Sequence, residues 1–157
     1  MASSSANNNC LNIQMDTSSN RSKNSYALTP YDFEKNILVV CPNCGQQALA
    51  NRVPRDKTNT RAYFKVTCPH CAYTKNMYSS SLKVPLWLSV LFEGNMIWAY
   101  NYEHLALLKK HVEATLRERN NYPNRNGSIG SRIPRWMSSA KNRKKVLKYI
   151  EKLQRGG

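Results

Sequence analysis

Four of the five cysteines in this 157-residue chain lie between residues 41 and 71. They form two Cys-x-x-Cys pairs, Cys41 with Cys44 and Cys68 with Cys71, and 23 residues separate the pairs. Each pair lies in a Cys-Pro-x-Cys frame, in which the turn points backbone N–H groups at the sulfurs and a small residue follows the second cysteine. Two such knuckles predict one closed, tetrahedral site of four thiolates that holds a single structural Zn²⁺.

An iron site and a redox-active cysteine pair are the alternatives to a zinc site. An iron site or cluster with four thiolates needs the same ligands and remains an alternative. A thioredoxin-type redox pair is typical of one Cys-x-x-Cys motif in a βαβ unit, whereas this chain has two copies among predicted strands. His70 is interpreted as a solvent-facing turn residue and Cys10 as a free thiol. A closed site does no chemistry, so we expect metal removal to unfold at least residues 37–81.

The charge of the chain indicates an anionic partner. Lys and Arg number 24 against nine Asp and Glu, which gives a formal charge of +15. Such an excess attracts phosphate polymers. Residues 132–157 contain nine of the basic side chains and only one acid, Glu151, so they carry more than half of the net charge. The predicted partner is nucleic acid, either DNA or RNA.

Two basic segments contain the candidate phosphate contacts. The loop between the knuckles lacks the Asp-Glu pair with which transcript-cleavage ribbons of elongation factors hold a catalytic magnesium, so that activity is excluded. The last predicted helix has cations of nearly uniform sign beside its apolar stripe, and like charges four residues apart repel. A solvated face and a membrane surface are the alternatives, although the stripe lacks Trp and Phe. The candidate residues are Arg52, Arg55, Arg61, Arg143, Lys144, Lys145 and Lys148.

Aromatic residues on or beside the predicted strands have two interpretations. They are core residues of a mixed sheet, or they are platforms on which unpaired bases stack. Trp87 and Trp98 are flanked by aliphatic residues and are predicted to lie in the core. Tyr63 and Tyr73 are flanked by Arg, Lys and Thr, and for them the sequence does not decide.

The elements that position these residues follow from the spacing of apolar side chains. Short alternating or β-branched runs predict strands on both sides of each knuckle. Residues 84–101 predict two further strands joined by a turn at Gly94-Asn95. Both faces of this hairpin are apolar, so we expect one face to meet helices and the other to meet the zinc module. Asn101 is a good N-cap for a helix to about Glu118, and a second amphipathic helix follows near the C-terminus.

The predicted fold class is α+β: a four-cysteine zinc ribbon extended by a β-hairpin and packed by two C-terminal helices. Composition and pattern divide the chain into five segments. These are a disordered Ser/Asn-rich tail (1–36), the zinc ribbon (37–81), the hairpin plus a helix (82–119), a flexible loop (120–134) and a basic C-terminal helix (135–157).

Several function classes find no support in the sequence. The N-terminal residues show no signal peptide, and no run approaches the about 18 to 20 apolar residues that cross a bilayer, so we expect a cytoplasmic protein with no membrane partner. Phosphate-binding-loop and serine-nucleophile motifs are missing. His104 and His111 are interpreted as packing residues. We therefore expect no catalytic residues, no small-molecule substrate and no enzyme activity.

The order of motifs resembles a group of small bacterial zinc-ribbon proteins, described as transcription-initiation-factor-type zinc ribbons or after the primosomal helicase. The two knuckles are followed by "LWLSVLFEGNMIWAYNYEHLALLKKHVEATLRERN" and then by "RIPRWMSSAKNRKKVLKYIEKL". The resemblance covers about residues 38–154, and "IWAYNYEHL" and "RWMSSAKNR" are its more specific parts. It implies a ribbon followed by a hairpin and two helices. Only the four cysteines carry over as functional residues, and helicase activity does not, because the chain has no nucleotide-binding loop.

These observations predict a non-catalytic zinc ribbon that binds nucleic acid through a basic loop and a basic C-terminal helix. The alternative is an adaptor within a DNA-processing, transcription or ribosome-associated assembly, whose basic helix meets an acidic protein partner. A third possibility is an enzyme whose site assembles only with a partner, although no residue indicates its chemistry.

Overall fold

A computed structural model describes residues 21–22, 24–58, 60–78, 83–117 and 126–156. Within these ranges seven strands, paired mainly in antiparallel sheets, precede the first α-helix, and the other helices follow near the C-terminus, which confirms the predicted α+β class. None of the described helices has the length and apolar content to cross a membrane. The strands are β1 (Arg21–Ser22), β2 (Ile37–Val40), β3 (Gln47–Val53), β4 (Tyr63–Thr67), β5 (Thr74–Tyr78), β6 (Leu88–Phe92), β7 (Asn95–Ala99) and β8 (Leu116–Arg117), and the helices are α1 (Tyr102–Glu113), α2 (Ile129–Arg132), α3 (Arg135–Ser138) and α4 (Arg143–Gly156).

Strands β2 to β5 form one antiparallel sheet in sequence order. Side chains two residues apart in a strand share a face, and this alternation is visible in β4: Phe64 and Val66 are buried, whereas Lys65 between them is exposed. The buried face packs with Val39 of β2 and Ala50 of β3 into one core cluster that includes cysteines. One face of the sheet is therefore packed, whereas on the other face the side chains of β3 to β5 are half-buried or exposed, as is common for antiparallel sheets.

Strands β6 and β7 form a hairpin whose turn differs by one residue from the prediction. The two turn residues are Glu93 and Gly94, not Gly94 and Asn95. Both have positive φ, 45° and 78°, as a type I′ turn requires, and the twist of this turn matches that of the strands. Asn95 instead pairs with Phe92. Glycine fits either central position of a two-residue turn, so its presence alone does not fix the register.

The two faces of this hairpin have different surroundings. Phe92 and Ile97 of the inner face are buried in a core with α1, α3 and α4. The outer face was predicted to meet the zinc module, and this is wrong: Leu91 is 62% exposed and Met96 53%. The predicted core position of Trp98 is also wrong, since it is 41% exposed on this face. The prediction fails because the neighbouring strand β2 contacts the chain before and after the hairpin, not its outer face.

Helix α1 begins where the sequence predicts but ends earlier, and the predicted C-terminal helix is interrupted. Asn101 caps α1 as expected, because its side chain accepts a hydrogen bond of 2.8 Å from the backbone N–H of His104. The helix ends at Glu113 instead of near Glu118, and Leu116–Arg117 pairs in parallel with β1. The C-terminal region predicted as one helix is divided into α3 and α4, and Ser139 Oγ accepts from the N–H of Asn142 just before α4 begins.

Residues 24–36 were predicted to belong to a disordered tail, and the structure contradicts this. Ser25, Tyr26 and Phe33 are buried, and Phe33 stacks on the ring of His104 with 4.9 Å between centroids. Buried Ser25 also shares a hydrogen bond of 2.9 Å with Nδ1 of His111. The polar composition of the segment conceals these few anchors, each of which contacts helix α1. Residues 1–20 and 23 of the predicted tail lie outside the described residues.

The predicted loop of residues 120–134 likewise contains ordered structure in its second half. Residues 129–132 form α2, and Ile129 is buried against Phe33 and Leu107. The backbone N–H of Gly130 donates to the carbonyl of Ser25 at 2.6 Å, and a Cβ at Gly130 would lie 3.0 Å from that oxygen. Two segments that look like loops in the sequence therefore order each other. Residues 118–125 lie outside the described part of the chain.

Strand β2 joins the sheet to the rest of the fold. Ile37 and Val39 point into the core of the four-stranded sheet, whereas Leu38 between them belongs to the hairpin and helix core. One edge of β2 pairs with β3. On the other edge, the N–H of Leu38 donates to the Tyr100 carbonyl at 2.7 Å and its carbonyl accepts from the N–H of Trp87 at 3.0 Å. Both faces of β2 are therefore packed in hydrophobic cores, and both of its edges form backbone hydrogen bonds.

Candidate metal centre and basic surfaces

The four predicted metal ligands lie in the turns that connect β2 to β3 and β4 to β5. Because β3 and β4 are antiparallel neighbours, both turns are at the same end of the sheet. The Sγ atoms of all four cysteines lie within 4.8 Å of one another. Cys41 and Cys71 are separated by 3.7 Å between sulfurs, and Cys44 and Cys68 by 3.6 Å. The four ligands therefore form one cluster that can hold one metal ion.

The spacing of the sulfurs fits a single tetrahedral ion. Thiolates about 2.3 Å from a central ion form a tetrahedron with edges of about 3.8 Å, close to the two distances above. A disulfide requires sulfurs about 2.05 Å apart, and all four cysteines are unpaired. A multi-iron cluster binds its thiolates through different iron atoms and therefore spreads the sulfurs farther apart.

The backbone of the two knuckles is nearly the same. The residue after each second cysteine has a left-handed conformation, with φ of 72° at Gly45 and 56° at Ala72. The N–H of each first cysteine donates to the carbonyl five residues later, at 2.7 Å for Cys41 and 2.9 Å for Cys68. In the first knuckle the N–H of Asn43 points at the sulfur of Cys41, 3.4 Å away. The turns are thus shaped to present sulfur atoms to a common centre.

The electrostatics of the cluster favour a bound cation. Hydrogen bonds from the Asn43 side chain and the Tyr73 backbone lower the pKa of Cys71 to about 6. The backbone N–H of Gln46 lowers the pKa of Cys44, but desolvation and the three neighbouring thiols outweigh it and raise that pKa to about 12. A second thiolate so close to the first is disfavoured unless a metal ion compensates the charge. Metal binding therefore releases protons and depends on pH.

Three of the seven predicted nucleic-acid contacts already have partners within the protein. Arg52 lies 3.3 Å from the carboxylate of Glu34, and Lys145 lies 2.9 Å from that of Glu93. Arg143 is half-buried and donates to the carbonyl of Ser138 at 3.4 Å. These three side chains have structural roles in the free protein. The other four are exposed: Arg55, Arg61, Lys144 and Lys148.

Helix α4 carries further cations in line with Lys144 and Lys148. Lys152 and Arg155 follow at helical spacing, so that the four form one exposed row, which we call the α4 cation stripe. The last three of these residues, with Tyr149, line a shallow cavity of about 600 Å³. In the described part of the chain no carboxylate lies within 4 Å of the three lysines. The four-residue spacing in the sequence already indicates this row, although Lys152 and Arg155 were not among the predicted contacts.

The solvated face of the four-stranded sheet carries nine side chains in three rows across β3, β4 and β5, and we call it the open sheet face. Tyr63 and Tyr78 are direct cross-strand partners there, and Tyr78 is 55% exposed. Tyr73, by contrast, packs against the core that contains the cysteines. The two tyrosines that the sequence left undecided thus lie on different sides. The rows are Val53, Tyr63 and Tyr78; Asn51, Lys65 and Asn76; and Leu49, Thr67 and Thr74.

The two histidines of α1 are buried and neutral at physiological pH. Desolvation lowers the pKa of His104 to about 4, and desolvation together with nearby Arg117 lowers that of His111 to about 4. Nδ1 of His104 accepts from the N–H of Tyr100 at 3.2 Å. Their positions agree with the interpretation as packing residues, and they add nothing to the positive charge of the surface.

No protein-family model, curated protein or solved structure matches this chain. The resemblance to small bacterial zinc ribbons therefore remains a prediction, and function is argued from the geometry of the chain itself.

Proposed function

We propose that this chain is a non-catalytic zinc-ribbon protein that binds nucleic acid through its basic β3–β4 loop and helix α4. The observation that carries the proposal is the α4 cation stripe, in which Lys144, Lys148 and Lys152 are exposed and four residues apart. Like charges at this spacing destabilise a helix by about 0.2–0.5 kcal/mol per pair. A polyanion removes the repulsion and releases its own counterions on binding.

Zinc is the metal that we propose for the four-cysteine cluster. A set of four thiolates with no open coordination position is typical of structural zinc, which has no redox chemistry. The site would hold the two knuckles together in a protein with a small core. Elemental analysis of protein purified without added metal should give one zinc per chain. Stoichiometric iron, with visible absorption from thiolate-to-iron charge transfer, would contradict the assignment.

The binding proposal is tested by the salt dependence of oligonucleotide affinity. In fluorescence anisotropy titrations, the logarithm of the association constant should fall linearly with the logarithm of the salt concentration. Each phosphate neutralised should add about 0.7 to 0.9 to the steepness of this slope. The double variant Lys148→Glu/Lys152→Glu should bind at least about 10-fold more weakly and show a shallower salt dependence. Absence of binding at low salt would refute the proposal.

A matched control separates a local surface from net charge. Lys35 and Lys110 are exposed lysines outside the α4 cation stripe. The double variant Lys35→Glu/Lys110→Glu changes the net charge by the same amount and should retain most of the affinity. Equal losses in the two double variants would show that only the total charge matters and that α4 is not the binding surface.

An adaptor role is the second candidate, and the outer face of the hairpin favours it. Leu91 and Met96 are direct cross-strand partners, and Trp98 lies beside Met96 on the same face. Leu91 and Met96 are more than half exposed and Trp98 is 41% exposed, and clustered apolar exposure is typical of protein interfaces. If Leu91→Lys/Met96→Lys releases a co-purifying protein while charge reversal on α4 leaves nucleic-acid affinity unchanged, the adaptor function replaces nucleic-acid binding.

A further inference from the structure

We infer that the open sheet face binds single-stranded nucleic acid, with unpaired bases stacked on Tyr63 and Tyr78. The inference rests on the proposed nucleic-acid function and specifies the form of the ligand and a second surface that contacts it. It is carried by the register of the sheet and by the position of the basic loop, neither of which involves helix α4.

The register places two aromatic rings side by side in the first row of this face. Tyr63 and Tyr78 are directly opposite each other, a relation in which Cβ atoms are about 4.5 to 5.5 Å apart. Tyr63 is half-buried and Tyr78 is exposed, whereas Phe64, next to Tyr63 on β4, is buried on the packed face. Exposed aromatic rings on a sheet can stack on bases of any sequence, because every base has a π-face.

The second row supplies polar groups beside the rings. Lys65 is flanked across the strands by Asn51 and Asn76, and Lys65 and Asn76 are exposed. Residues two apart in a strand are about 7 Å apart, so the lysine ammonium can reach the phosphate of a base that stacks on Tyr63. The amide of exposed Asn76 can donate to and accept from base edges, whereas Oδ1 of Asn51 is buried.

The basic loop lies next to the aromatic row. Residues 54–62 connect Val53 to Tyr63, and both of these residues belong to that row. Arg55, Lys57 and Arg61 of the loop are exposed, and Asp56 is its only acid. The cysteine cluster is at the opposite end of the sheet. Cations beside exposed aromatic rings are the combination with which single strands are bound.

The charge on this face decides between a nucleic acid and an apolar protein surface. Lys65 is at the centre of the three rows, and none of the nine side chains is acidic. An apolar partner would bury the ammonium without a counter-charge, which is costly. A phosphate provides the counter-charge. A duplex keeps its base faces stacked internally and cannot offer them to the tyrosines, so the ligand is a single strand.

The test uses the full-length, metal-loaded protein and oligonucleotides of equal length: single-stranded RNA, single-stranded DNA and a DNA duplex. Tyr78→Leu and Tyr63→Leu should each weaken binding to single strands on the order of 10-fold and leave duplex binding and the salt dependence unchanged. Tyr78→Phe and Tyr63→Phe keep the ring and should restore affinity. Tyr102→Leu is the matched control, since Tyr102 is 44% exposed on α1. Preference between the two single strands identifies RNA or DNA.

The outcomes separate this inference from the proposed function. If single strands and duplex bind with the same salt-dependent affinity and Tyr78→Leu has no larger effect than Tyr102→Leu, the inference is wrong and the proposed function stands. If no oligonucleotide binds at low salt, the proposed function fails as well. Tyr63 is half-buried, so thermal unfolding checks that its variants fold, and Tyr78, which is more exposed, keeps the test decisive if they do not.

Discussion

At the scale of single residues, Ala72 has a backbone conformation that is unfavourable for any residue with a Cβ. Its φ of 56° is close to the 72° of Gly45 at the equivalent position of the first knuckle. For a non-glycine residue the left-handed region costs about 1–2 kcal/mol, whereas glycine adopts it freely. The two knuckles thus have similar backbone conformations, but only the second is strained. The conformational cost at Ala72 must be offset by the flanking strands and by metal binding.

Exchanging the residues at these two positions tests this account. Ala72→Gly should raise the free energy of unfolding of the zinc-loaded protein by about 0.5–1 kcal/mol, because relief of strain exceeds the added freedom of the unfolded chain. Gly45→Ala should lower it by a similar amount through backbone strain alone, since no atom lies within 4 Å of the added Cβ. Urea unfolding at a fixed free zinc concentration measures both.

The double variant Gly45→Ala/Ala72→Gly serves as the control for this pair. Because the two changes have opposite signs, it should unfold near the wild-type urea concentration. A neutral or destabilising effect of Ala72→Gly would mean that φ at residue 72 carries no strain and that another property of alanine matters there.

At the scale of elements, Asn101 connects the start of helix α1 to the segment before β2. Its Oδ1 accepts from the N–H of His104, and its Nδ2 donates to the carbonyls of Phe33 and Asn36, each at 3.3 Å. One side chain therefore caps a helix and holds a segment that lies more than 60 residues earlier in the chain. The cap was predicted from the sequence, but the second role was not.

Two substitutions at Asn101 distinguish the two roles. Asn101→Ala removes all three hydrogen bonds and should lower the free energy of unfolding by about 2 kcal/mol. Asn101→Asp keeps the capping acceptor but loses the donors, and it should lower the free energy of unfolding by about 1 kcal/mol. Amide exchange should speed up near residues 33–36 in both variants. An aspartate variant as stable as wild type would show that the bonds to Phe33 and Asn36 contribute nothing.

The sequence predicts elements well where their signals are local. Each strand beside a knuckle follows from alternation or from a β-branched run within a few residues, and the N-cap follows from one Asn before an apolar stripe. The packing of Ser25 against Gly130 involves residues far apart in the chain, so composition alone assigned both segments to a tail and a loop. The exposed outer face of the hairpin also depends on which neighbour covers it, and Leu91 and Met96 are as apolar as core residues.

At the scale of the whole molecule, the fold consists of two hydrophobic cores joined through β2. One core belongs to the four-stranded sheet and includes the cysteines, and the other is formed by the hairpin and helices. The four-cysteine cluster could be predicted from cysteine spacing, because each knuckle is a local turn. The junction could not be predicted, because the alternate burial of Leu38 and Val39 depends on two different partners.

Metal removal should therefore disturb both cores. All three tryptophans, Trp87, Trp98 and Trp136, lie in or beside the hairpin and helix core, so their emission reports on the core that does not include the four cysteines. A chelator should shift this emission together with the loss of amide protection in β3, β4 and β5. Protection lost from the sheet while tryptophan emission stays constant would show that the two cores are independent.

Cysteine variants provide the controls for this experiment. Cys10→Ser changes the one cysteine that is not among the four predicted ligands. This variant should bind one metal ion and unfold like wild type. Cys44→Ser removes one ligand and should show the emission of the chelated wild type without any chelator. If Cys44→Ser retains both metal and the native emission, the four thiolates are not the site that holds the fold together.

Because β2 pairs on both of its edges, one edge lacks its partners while the chain is still being synthesised. The four cysteines and strands β2 to β5 are synthesised before the partners of the other edge of β2, which lie near residues 85–87 and at Tyr100. Until they emerge, the nascent polypeptide presents an unpaired edge strand, which is prone to pair with other chains. If the cysteines bind a metal ion early, the four-stranded sheet can form while this edge of β2 is still unpaired and able to aggregate with other chains.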